Sequence, residues 1–270
     1  MTNSMSEKEI DSRRRTIVEK LDELGYVSVL ELSNSLGVSA VTIRTDLTHL
    51  EKEGVLLRTH GGAKRVEKSG AIRLLSNTMV EFEAEKKAIA RAASRFITDG
   101  STIIVDSGST TVHLLNYVSG REIMIVTNSI PVIEGLKDDQ SVEILLIGGN
   151  LRRSYMGTIG PLANAFMQSV HVNTYFMGSA NYDMDGVTCT NLLEAELKKS
   201  MLHSCDRVVF MADSSKFGKK AFASLCSWDQ IDVFVTDKID PSFQAFLSEK
   251  GVEVITATLP QSGSGLDRLA

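Results

Sequence analysis

The sequence predicts an α/β protein: an N-terminal winged helix-turn-helix domain joined to a mostly parallel, doubly wound α/β domain. Two observations carry this prediction. Over residues 12–66, three short amphipathic segments are separated by glycines and followed by two extended runs around a Gly-Gly pair. From residue 79 onward, apolar strand-like runs alternate with helix-like segments, which is typical of a sheet covered by helices on both faces.

The expected domain boundaries follow from the same patterns. The first domain spans residues 12–66 and the second spans residues 79–258. Between them, residues 67–78 have weak apolar periodicity and are predicted to form a linker. The C-terminal residues 259–270 have the Gly- and Ser-containing composition of a flexible tail.

The N-terminal domain contains three predicted helices with recognisable ends. The segment SRRRTIVEKLDELG carries an apolar stripe that stops at Gly25. Ser28 is suited to cap a second, short helix that ends at Gly37, and Ser39 is suited to cap a third that ends at Gly54. The residues of the third helix expected to face the core are Ile43, Leu47 and Leu50. The segment VLLRTHGGAKRV then predicts the β-hairpin that forms a wing.

Basic residues lie on the parts of this domain that would touch DNA phosphates. From residue 13 to residue 65, nine Lys or Arg stand against seven Asp or Glu, although the whole chain has a net charge of −5. The third helix is expected to enter a major groove and the wing to contact the backbone. The predicted DNA-contacting residues are Ser39, Thr42, Arg44, Thr45, Thr48, Arg58, Lys64 and Arg65. The run Arg13–Arg15 either contacts phosphate as well or forms a solvated face.

In the second domain, small and polar residues follow four predicted strands. The chain places DSGSTT after STIIV, TNS after IMIV, GGN after ILLI and DSSK after VVFMA. Ligands of open α/β sheets bind beyond the carboxyl ends of the strands. A Gly-containing loop that enters a helix points free amides at one spot, which suits a phosphate, although Ser and Thr also cap helices. The predicted ligand-binding residues are Asp106, Ser107, Gly108, Ser109, Thr110, Thr111, Thr127, Asn128, Ser129, Gly148, Gly149, Arg152 and Lys216.

The sequence gives no support to other kinds of site. The loop DSGSTT lacks the GxxxxGK[ST] spacing, and no GxGxxG follows a strand. No HExxH, GxSxG or Cys/His metal-ligand spacing occurs. The isolated histidines His113, His171 and His203 are expected to be surface or core groups. We therefore expect no catalytic residue, no metal and no cofactor.

Composition also bounds where the chain is expected to work. No run of about 18 apolar residues indicates a membrane span, and the N-terminus lacks the apolar core of a secretory signal. Three cysteines, an odd number, lie far apart and form no CxxC, so we expect free thiols. Free thiols are typical of a reducing compartment, and the expected location is the cytoplasm.

These motifs together resemble the DeoR family of bacterial transcriptional regulators. The resemblance rests on VSAVTIRTDLTHLEKEGVLLRTHGGA in the first domain and on DSGSTT, VTNS, IGGNLRR, DGVT and MADSSKFG in order in the second. It covers residues 12–257 and implies a dimeric or tetrameric repressor that binds double-stranded operator DNA of a sugar-catabolic operon. It further implies a sensor domain related to sugar-phosphate isomerases, with a phosphorylated sugar as effector.

One segment departs from the family pattern. Where family members usually carry an Asp-Gly-Ile-Asp type sequence, this chain has GSANYDMDG. We expect the stretch from Ala180 to Asp183 to help select the sugar, and we include Asp183 among the ligand-binding residues.

Two alternatives remain open at this stage. The protein could activate rather than repress transcription, because no sequence feature distinguishes the two. It could also be a sugar-phosphate isomerase with a DNA-binding head, because isomerisation needs a carboxylate base. The acids that would have to reach the pocket are Asp106, Asp183, Glu194 and Asp213.

Overall fold

The computed structural model describes residues 7–52, 55–59, 61–65 and 75–259. The chain divides into two compact units, one up to residue 71 and one from residue 72 onward. Each unit has a hydrophobic core of its own. The predicted linker residues 67–74 and the predicted tail residues 260–270 lie outside the described residues.

The described residues of the first unit form three helices and a small antiparallel sheet. The helices are α1 (Glu7–Leu24), α2 (Val29–Leu36) and α3 (Ala40–Lys52). The strands are β1 (Tyr26–Ser28), β2 (Leu56–Arg58) and β3 (Gly62–Arg65), in the order β1-β3-β2. The predicted hairpin is therefore present. Its strand β3 also pairs with β1, which the sequence did not predict and which ties the wing to the helices.

The predicted helix ends are supported by capping contacts. The Ser28 hydroxyl accepts the Glu31 N–H at 3.1 Å, and Gly37 ends α2 with a φ of 64°. The Ser39 hydroxyl accepts the Thr42 N–H at 3.1 Å and so caps α3. The predicted end of α3 at residue 54 lies outside the described residues. The predicted core residues Ile43, Leu47 and Leu50 are buried.

The second unit is an α/β fold. Its helices are α4 (Leu75–Val80), α5 (Glu83–Ala93), α6 (Ile130–Leu136), α7 (Pro161–Met167), α8 (Leu192–Leu202) and α9 (Pro241–Glu249). The strands of its main sheet are β4 (Thr102–Val105), β5 (Ile123–Thr127), β6 (Val142–Leu146), β9 (Val172–Met177), β12 (Cys205–Met211), β14 (Val233–Thr236) and β15 (Glu253–Thr256). Five short strands lie outside that sheet: β7 (Asn150–Arg152), β8 (Gly157–Ile159), β10 (Asn181–Asp183), β11 (Gly186–Cys189) and β13 (Ala223–Cys226).

The main sheet is parallel and reverses its direction of winding once. Its strand order is β15-β14-β12-β9-β4-β5-β6. From β4 the chain adds β5 and β6 on one side, and it then returns to place β9 on the other side of β4. The carboxyl ends of β4 and β9 therefore border the crevice in which doubly wound sheets bind ligands.

Successive side chains of the strands pack into two cores on opposite faces of this sheet. Tyr175 and Phe210 pack with residues of α7, α8 and α9. Phe176 and Val209, their neighbours in sequence, pack with residues of α5 and α6. Helices on both faces confirm the predicted doubly wound architecture.

Three local features differ from the sequence predictions. The segment Thr111–Tyr117 forms a 3₁₀ helix rather than an α-helix, and the Thr111 hydroxyl donates to the Asp106 carbonyl at 2.9 Å. Residues 75–78, predicted to belong to the linker, begin α4 instead, because Leu75 is buried. Leu259, the first residue of the predicted tail, packs against the core.

The β7–β8 hairpin and the antiparallel sheet β10-β11-β13 were also not predicted. Their strands have three or four residues each, too few for a reliable alternating pattern. Across the described part of the chain, no helix has both the length and the apolar character needed to cross a membrane.

Candidate functional site

The exposed face of α3 is the candidate DNA-reading surface of the first unit. Arg44 and Thr45 are exposed and Thr48 is half-buried, as predicted for outward-facing residues. Val41 shares this face, because residues 41, 44, 45 and 48 follow helical spacing. It is 68% exposed and was not predicted as a contact residue. The α3 face therefore combines a cation, hydroxyl groups and an apolar side chain.

The hydroxyl groups of this face already make contacts within the helix. Thr45 donates to the Val41 carbonyl at 3.0 Å, and Thr48 donates to the Arg44 carbonyl at 2.7 Å. Ser39 and Thr42 lie 2.9 Å apart through their hydroxyl oxygens. Thr45 and Thr48 can therefore accept hydrogen bonds from bases and offer methyl groups, but their protons are engaged.

Arg13 and Arg14, near the middle of α1, bind α3. The carboxylate of Asp46, only 2% exposed, accepts from Arg13 Nε at 2.6 Å and from Arg14 Nε at 3.0 Å. Asp46 lies on the inner side of α3, so a buried carboxylate needs these cations. Arg13 and Arg14 are thus engaged with Asp46, Arg15 is the exposed member of the run, and contact of this run with DNA phosphate stays a prediction.

The wing supplies one described candidate for phosphate contact. Arg58 is exposed, and its Nη1 donates to the Thr48 hydroxyl at 2.8 Å. Its main-chain N–H donates to Glu51 Oε1 at 3.0 Å, so the wing is fastened to α3 at both points. The side chains of Lys64 and Arg65 lie outside the described residues.

In the second unit, Asp106 lies at the crevice between β4 and β9. It follows β4 directly and is 1% exposed. Its Oδ2 accepts from the buried ammonium of Lys198, from the Gly178 N–H at 3.0 Å and from the Tyr175 hydroxyl at 3.2 Å. Gly178 directly follows β9, so this carboxylate joins the two strand ends that border the crevice.

The loop after Asp106 presents unpaired main-chain amides. The Ser107 N–H donates to Asn128 Oδ1 at 3.1 Å, and Asn128 Nδ2 reaches the Ser107 hydroxyl at 3.2 Å. Among the described residues, no acceptor is bonded to the N–H of Gly108, Ser109 or Thr110. Asn128 therefore fixes the loop, while three consecutive amides are left to bind something outside the chain.

Several buried oxygen atoms near this loop have no hydrogen-bond partner within the described structure. They are Asp106 Oδ1, the Thr110 hydroxyl and the Tyr155 hydroxyl. Asp106 Oδ1 lies between two glycines, since a Cβ on Gly108 or Gly178 would approach it to 3.4 or 3.5 Å. Buried polar atoms of this kind are normally bonded to the protein, to water or to a ligand. The crevice therefore has the character of a polar binding site.

A second carboxylate, that of Glu194, lies near the ion pair of Asp106 and Lys198. Glu194, at the start of α8, lies 4.0 Å from Lys198 Nζ. Burial raises the pKa of Glu194, although the nearby ammonium opposes that shift. Burial also lowers the pKa of Lys198, but Asp106 and Glu194 more than offset this, so that its pKa is raised. Lys198 therefore compensates the negative charge of Asp106, whereas it compensates the negative charge of Glu194 only in part.

Two predicted cations border the crevice. Lys216 Nζ donates to the Ser179 carbonyl at 3.0 Å and lies 3.8 Å from Asp213 Oδ2. Arg152 Nε donates to the Ser154 hydroxyl at 3.0 Å, and its guanidinium lies 5.6 Å from the ring centre of Tyr155. Arg152 also acts electrostatically on Glu194 and Tyr155, which places it beside the group just described.

For five of the predicted ligand-binding residues the structure shows contacts within the chain or exposure to solvent, and ligand binding by them stays a prediction. Thr127 is fully buried, donates to the Val105 carbonyl at 2.6 Å and accepts the Ser129 N–H at 3.1 Å. Ser129 is likewise buried. A Cβ on Gly149, whose φ is 142°, would lie 2.6 Å from the Ile159 carbonyl oxygen, so this glycine is needed for the β7–β8 hairpin.

Gly148, the next of these five, is exposed beside that hairpin. Asp183, the last, is engaged in the turn between β10 and β11. Its Oδ1 accepts the Asp185 N–H at 2.9 Å, and its Oδ2 lies 3.5 Å from Lys220 Nζ. Asp183 therefore helps to shape this turn, and its role in selecting a ligand stays a prediction.

Comparison with known proteins assigns both units to one family. The family profile described as the DeoR-like helix-turn-helix domain matches residues 13–69, and the profile described as the DeoR C terminal sensor domain matches residues 81–238. The chain belongs to the DeoR family. It is accordingly a DNA-binding transcriptional regulator with a sensor domain.

Curated relatives agree along nearly the whole length. The transcriptional regulator YulB of Bacillus subtilis is 32% identical over 94% of this chain and 99% of its own. The regulator GlpR of Haloferax volcanii is 35% identical over 90% of this chain and 96% of its own. The repressor CsqR of Escherichia coli is 31% identical over 96% of this chain and 98% of its own. Among solved structures, ribose 5-phosphate isomerase A of Neisseria gonorrhoeae has a TM-score of 0.37 and 17% identity, covering 52% of this chain and 55% of that one.

Sequence reasoning missed several residues of this candidate site in the DeoR-family sensor domain. Lys198 and Tyr155 were not predicted, and Glu194 was considered only as a base for the isomerase alternative. The i, i+4 pair of Glu194 and Lys198 in LLEAELKKSML was the available signal. Such a pair usually lies on an exposed helix face, and only the packing of α8 against the sheet shows that Lys198 is buried.

The described part of this DeoR-family regulator contains no group of three His, Cys, Asp or Glu residues placed to hold a metal ion. The three cysteines are free thiols. Burial raises the pKa of Cys189 to about 12, so this thiol is unreactive at neutral pH. The predicted isolated histidine His113 is partly buried, and burial lowers its pKa.

Proposed function

We propose that this protein represses a sugar-catabolic operon and is released from its operator by a phosphorylated sugar bound in the crevice between β4 and β9. The observation that carries the proposal is the row of unpaired amides of Gly108, Ser109 and Thr110 at the carboxyl end of β4. Loops of converging main-chain N–H groups are suited to phosphate oxygens. The crevice also lies where doubly wound sheets bind ligands.

The phosphate is expected to lie against the loop 107–111, with Lys216 and Arg152 supplying positive charge. An ammonium offers a point charge and a guanidinium a planar fork, so the two cations can contact different oxygens. Asn128, predicted from sequence to be a ligand-binding residue, fixes Ser107 through two hydrogen bonds. Its role is to shape the phosphate loop.

The hydroxyl groups of the sugar are expected to face the buried oxygens. Asp106 Oδ1 and the carboxylate of Glu194 are acceptors, and the hydroxyls of Thr110 and Tyr155 can donate or accept. A chain of sugar hydroxyls can satisfy all four, which an apolar ligand cannot do. These four polar side chains, together with the phosphate loop, therefore favour a polyhydroxylated ligand with a phosphate at one end.

A contact at the start of α4 offers a route from this site to the DNA-binding unit. The Leu75 N–H donates to the Ser154 carbonyl at 2.7 Å, and the Ser154 hydroxyl accepts from Arg152. The same loop carries Tyr155 and packs against the phosphate loop, since a Cβ on Gly157 would meet both Tyr155 and Ser107 within 3 Å. We expect ligand binding at Arg152 and Tyr155 to alter this Leu75–Ser154 contact and hence the connection to the first unit.

The variant Leu75→Pro tests this route. Proline is tolerated in the first turn of a helix, where it removes the N–H that Ser154 accepts. We expect the variant to bind the sugar phosphate but to lose most of the roughly 5–150-fold effect of the ligand on operator affinity that is usual for allosteric coupling. Operator titrations by fluorescence anisotropy, with and without ligand, measure this.

Leu75→Ala is the matched control, because it truncates the same buried side chain but keeps the N–H. It should retain the ligand response. Equal responses in the two variants would show that the Leu75–Ser154 hydrogen bond does not carry the coupling.

A screen tests the proposed function itself. Phosphorylated hexoses, pentoses, alditols and sugar acids are scored by thermal shift, and the hits are added to protein bound to an operator selected from random duplexes. We expect at least one phosphorylated sugar to bind and to weaken operator binding, and the unphosphorylated sugar to do neither.

We also expect a dimer or tetramer by light scattering, because helix-turn-helix proteins bind paired half-sites. A monomer, or a phosphate-independent hit, would contradict these proposals.

The two alternatives lead to different results in the same assays. An activator would raise, rather than lower, expression of a reporter placed under the selected operator. An isomerase would convert the hit into a second sugar phosphate.

A further inference from the structure

The first turn of α3 exposes an apolar side chain. Val41 is the second residue of this helix and is 68% exposed, whereas Ile43 and Leu47 on its inner face are completely buried. Single exposed apolar residues are common on protein surfaces. This one lies on the second helix of a helix-turn-helix motif, near the N-terminal end that contacts base edges in such proteins.

The neighbours of Val41 limit what this part of α3 can recognise. Thr45, one turn further along, donates its hydroxyl proton to the Val41 carbonyl at 3.0 Å. Arg44 is exposed on the same side and offers guanidinium donors. Beside Arg44, the turn therefore presents methyl groups from Val41 and Thr45, with only lone pairs left on the Thr45 hydroxyl oxygen.

We propose that Val41 reads the C5 methyl group of a thymine in the major groove of the operator. Thymine is the base that presents a methyl group there, and a valine side chain can contact it but cannot form a hydrogen bond. The inference commits to an A·T pair opposite Val41 in each half-site. It depends on the DNA-binding activity of the family and is independent of the effector proposed above.

Deoxyuridine substitution tests the contact directly, because it removes only the C5 methyl group. Starting from an operator selected from random duplexes with the full-length protein, each thymine is replaced in turn. We expect one thymine per half-site at which the replacement weakens wild-type binding about 4-fold, the equivalent of roughly 0.8 kcal/mol for one buried carbon group. Val41→Ala should bind the unmodified operator about 4–15-fold more weakly and show no further loss at that thymine.

The controls separate base reading from general weakening. Alanine is a better helix former than valine, so Val41→Ala should keep α3 intact. Leu30→Ala alters a comparably exposed residue, 69% accessible, on α2 and should keep the wild-type deoxyuridine pattern. The proposal is overturned if no thymine is sensitive in the wild-type protein, if Val41→Ala keeps the same sensitive thymine, or if it weakens binding to random duplex as much as to the operator.

Discussion

Replacing Ser109 by glutamate is expected to abolish the response to the sugar phosphate while leaving operator binding unchanged. Ser109 lies in the middle of the three unpaired amides and is partly exposed, so a longer side chain has space. Its carboxylate would compete for the same amides and repel the phosphate. Two unit charges at 4 Å interact by about 4 kcal/mol near a protein surface, which corresponds to roughly a 10³-fold loss of ligand affinity.

Ser109→Gln is the matched control, because it has nearly the same shape without the charge. It should keep most of the ligand response, and both variants should bind operator with wild-type affinity. Gly108 is a less suitable position for the charge, because a Cβ there would approach the Thr111 hydroxyl to 2.9 Å and disturb the loop itself. If Ser109→Glu folds normally and still releases DNA at the wild-type ligand concentration, the phosphate does not bind at this loop.

The architecture could be predicted from sequence because local signals agree with the fold. Ser28, Gly37 and Ser39 mark helix ends through short-range contacts that the sequence displays directly. The parallel strands read as continuous apolar runs because both of their faces are buried. The β7–β8 hairpin gave no such signal, since its strands have three residues each and the residues that link them include no glycine.

The site was only partly predictable, because strand ends identify a position but not the partners of each side chain. Thr127 and Asp106 both follow or end a strand, yet the first is bonded to a neighbouring strand and the second to a helix 92 residues further along. In the first unit, the three successive arginines indicated DNA contact, but a single buried carboxylate, Asp46, binds two of them. Such pairings depend on tertiary packing and leave no local pattern.

Lys198→Met is expected to destabilise the sensor unit strongly. It leaves the carboxylate of Asp106 buried with only the Gly178 N–H and the Tyr175 hydroxyl to compensate it. Removing one member of a buried ion pair typically lowers the free energy of unfolding by about 3–5 kcal/mol. For a domain of this size the melting temperature should fall by roughly 10 °C. Trp228, the single tryptophan, is buried in this unit, so its fluorescence follows sensor unfolding alone.

Two further variants give this prediction its internal controls. Adding Asp106→Asn to Lys198→Met removes the unpaired charge, so the double variant should be more stable than Lys198→Met alone. The second control is Glu194→Gln, one turn from Lys198, which should raise the free energy of unfolding rather than lower it. Because burial raises the pKa of Glu194, its ionisation opposes folding above about pH 4.5, and a neutral amide should stabilise the unit at neutral pH. If Lys198→Met and the double variant are destabilised equally relative to wild type, the unpaired charge of Asp106 is not the cause of the destabilisation.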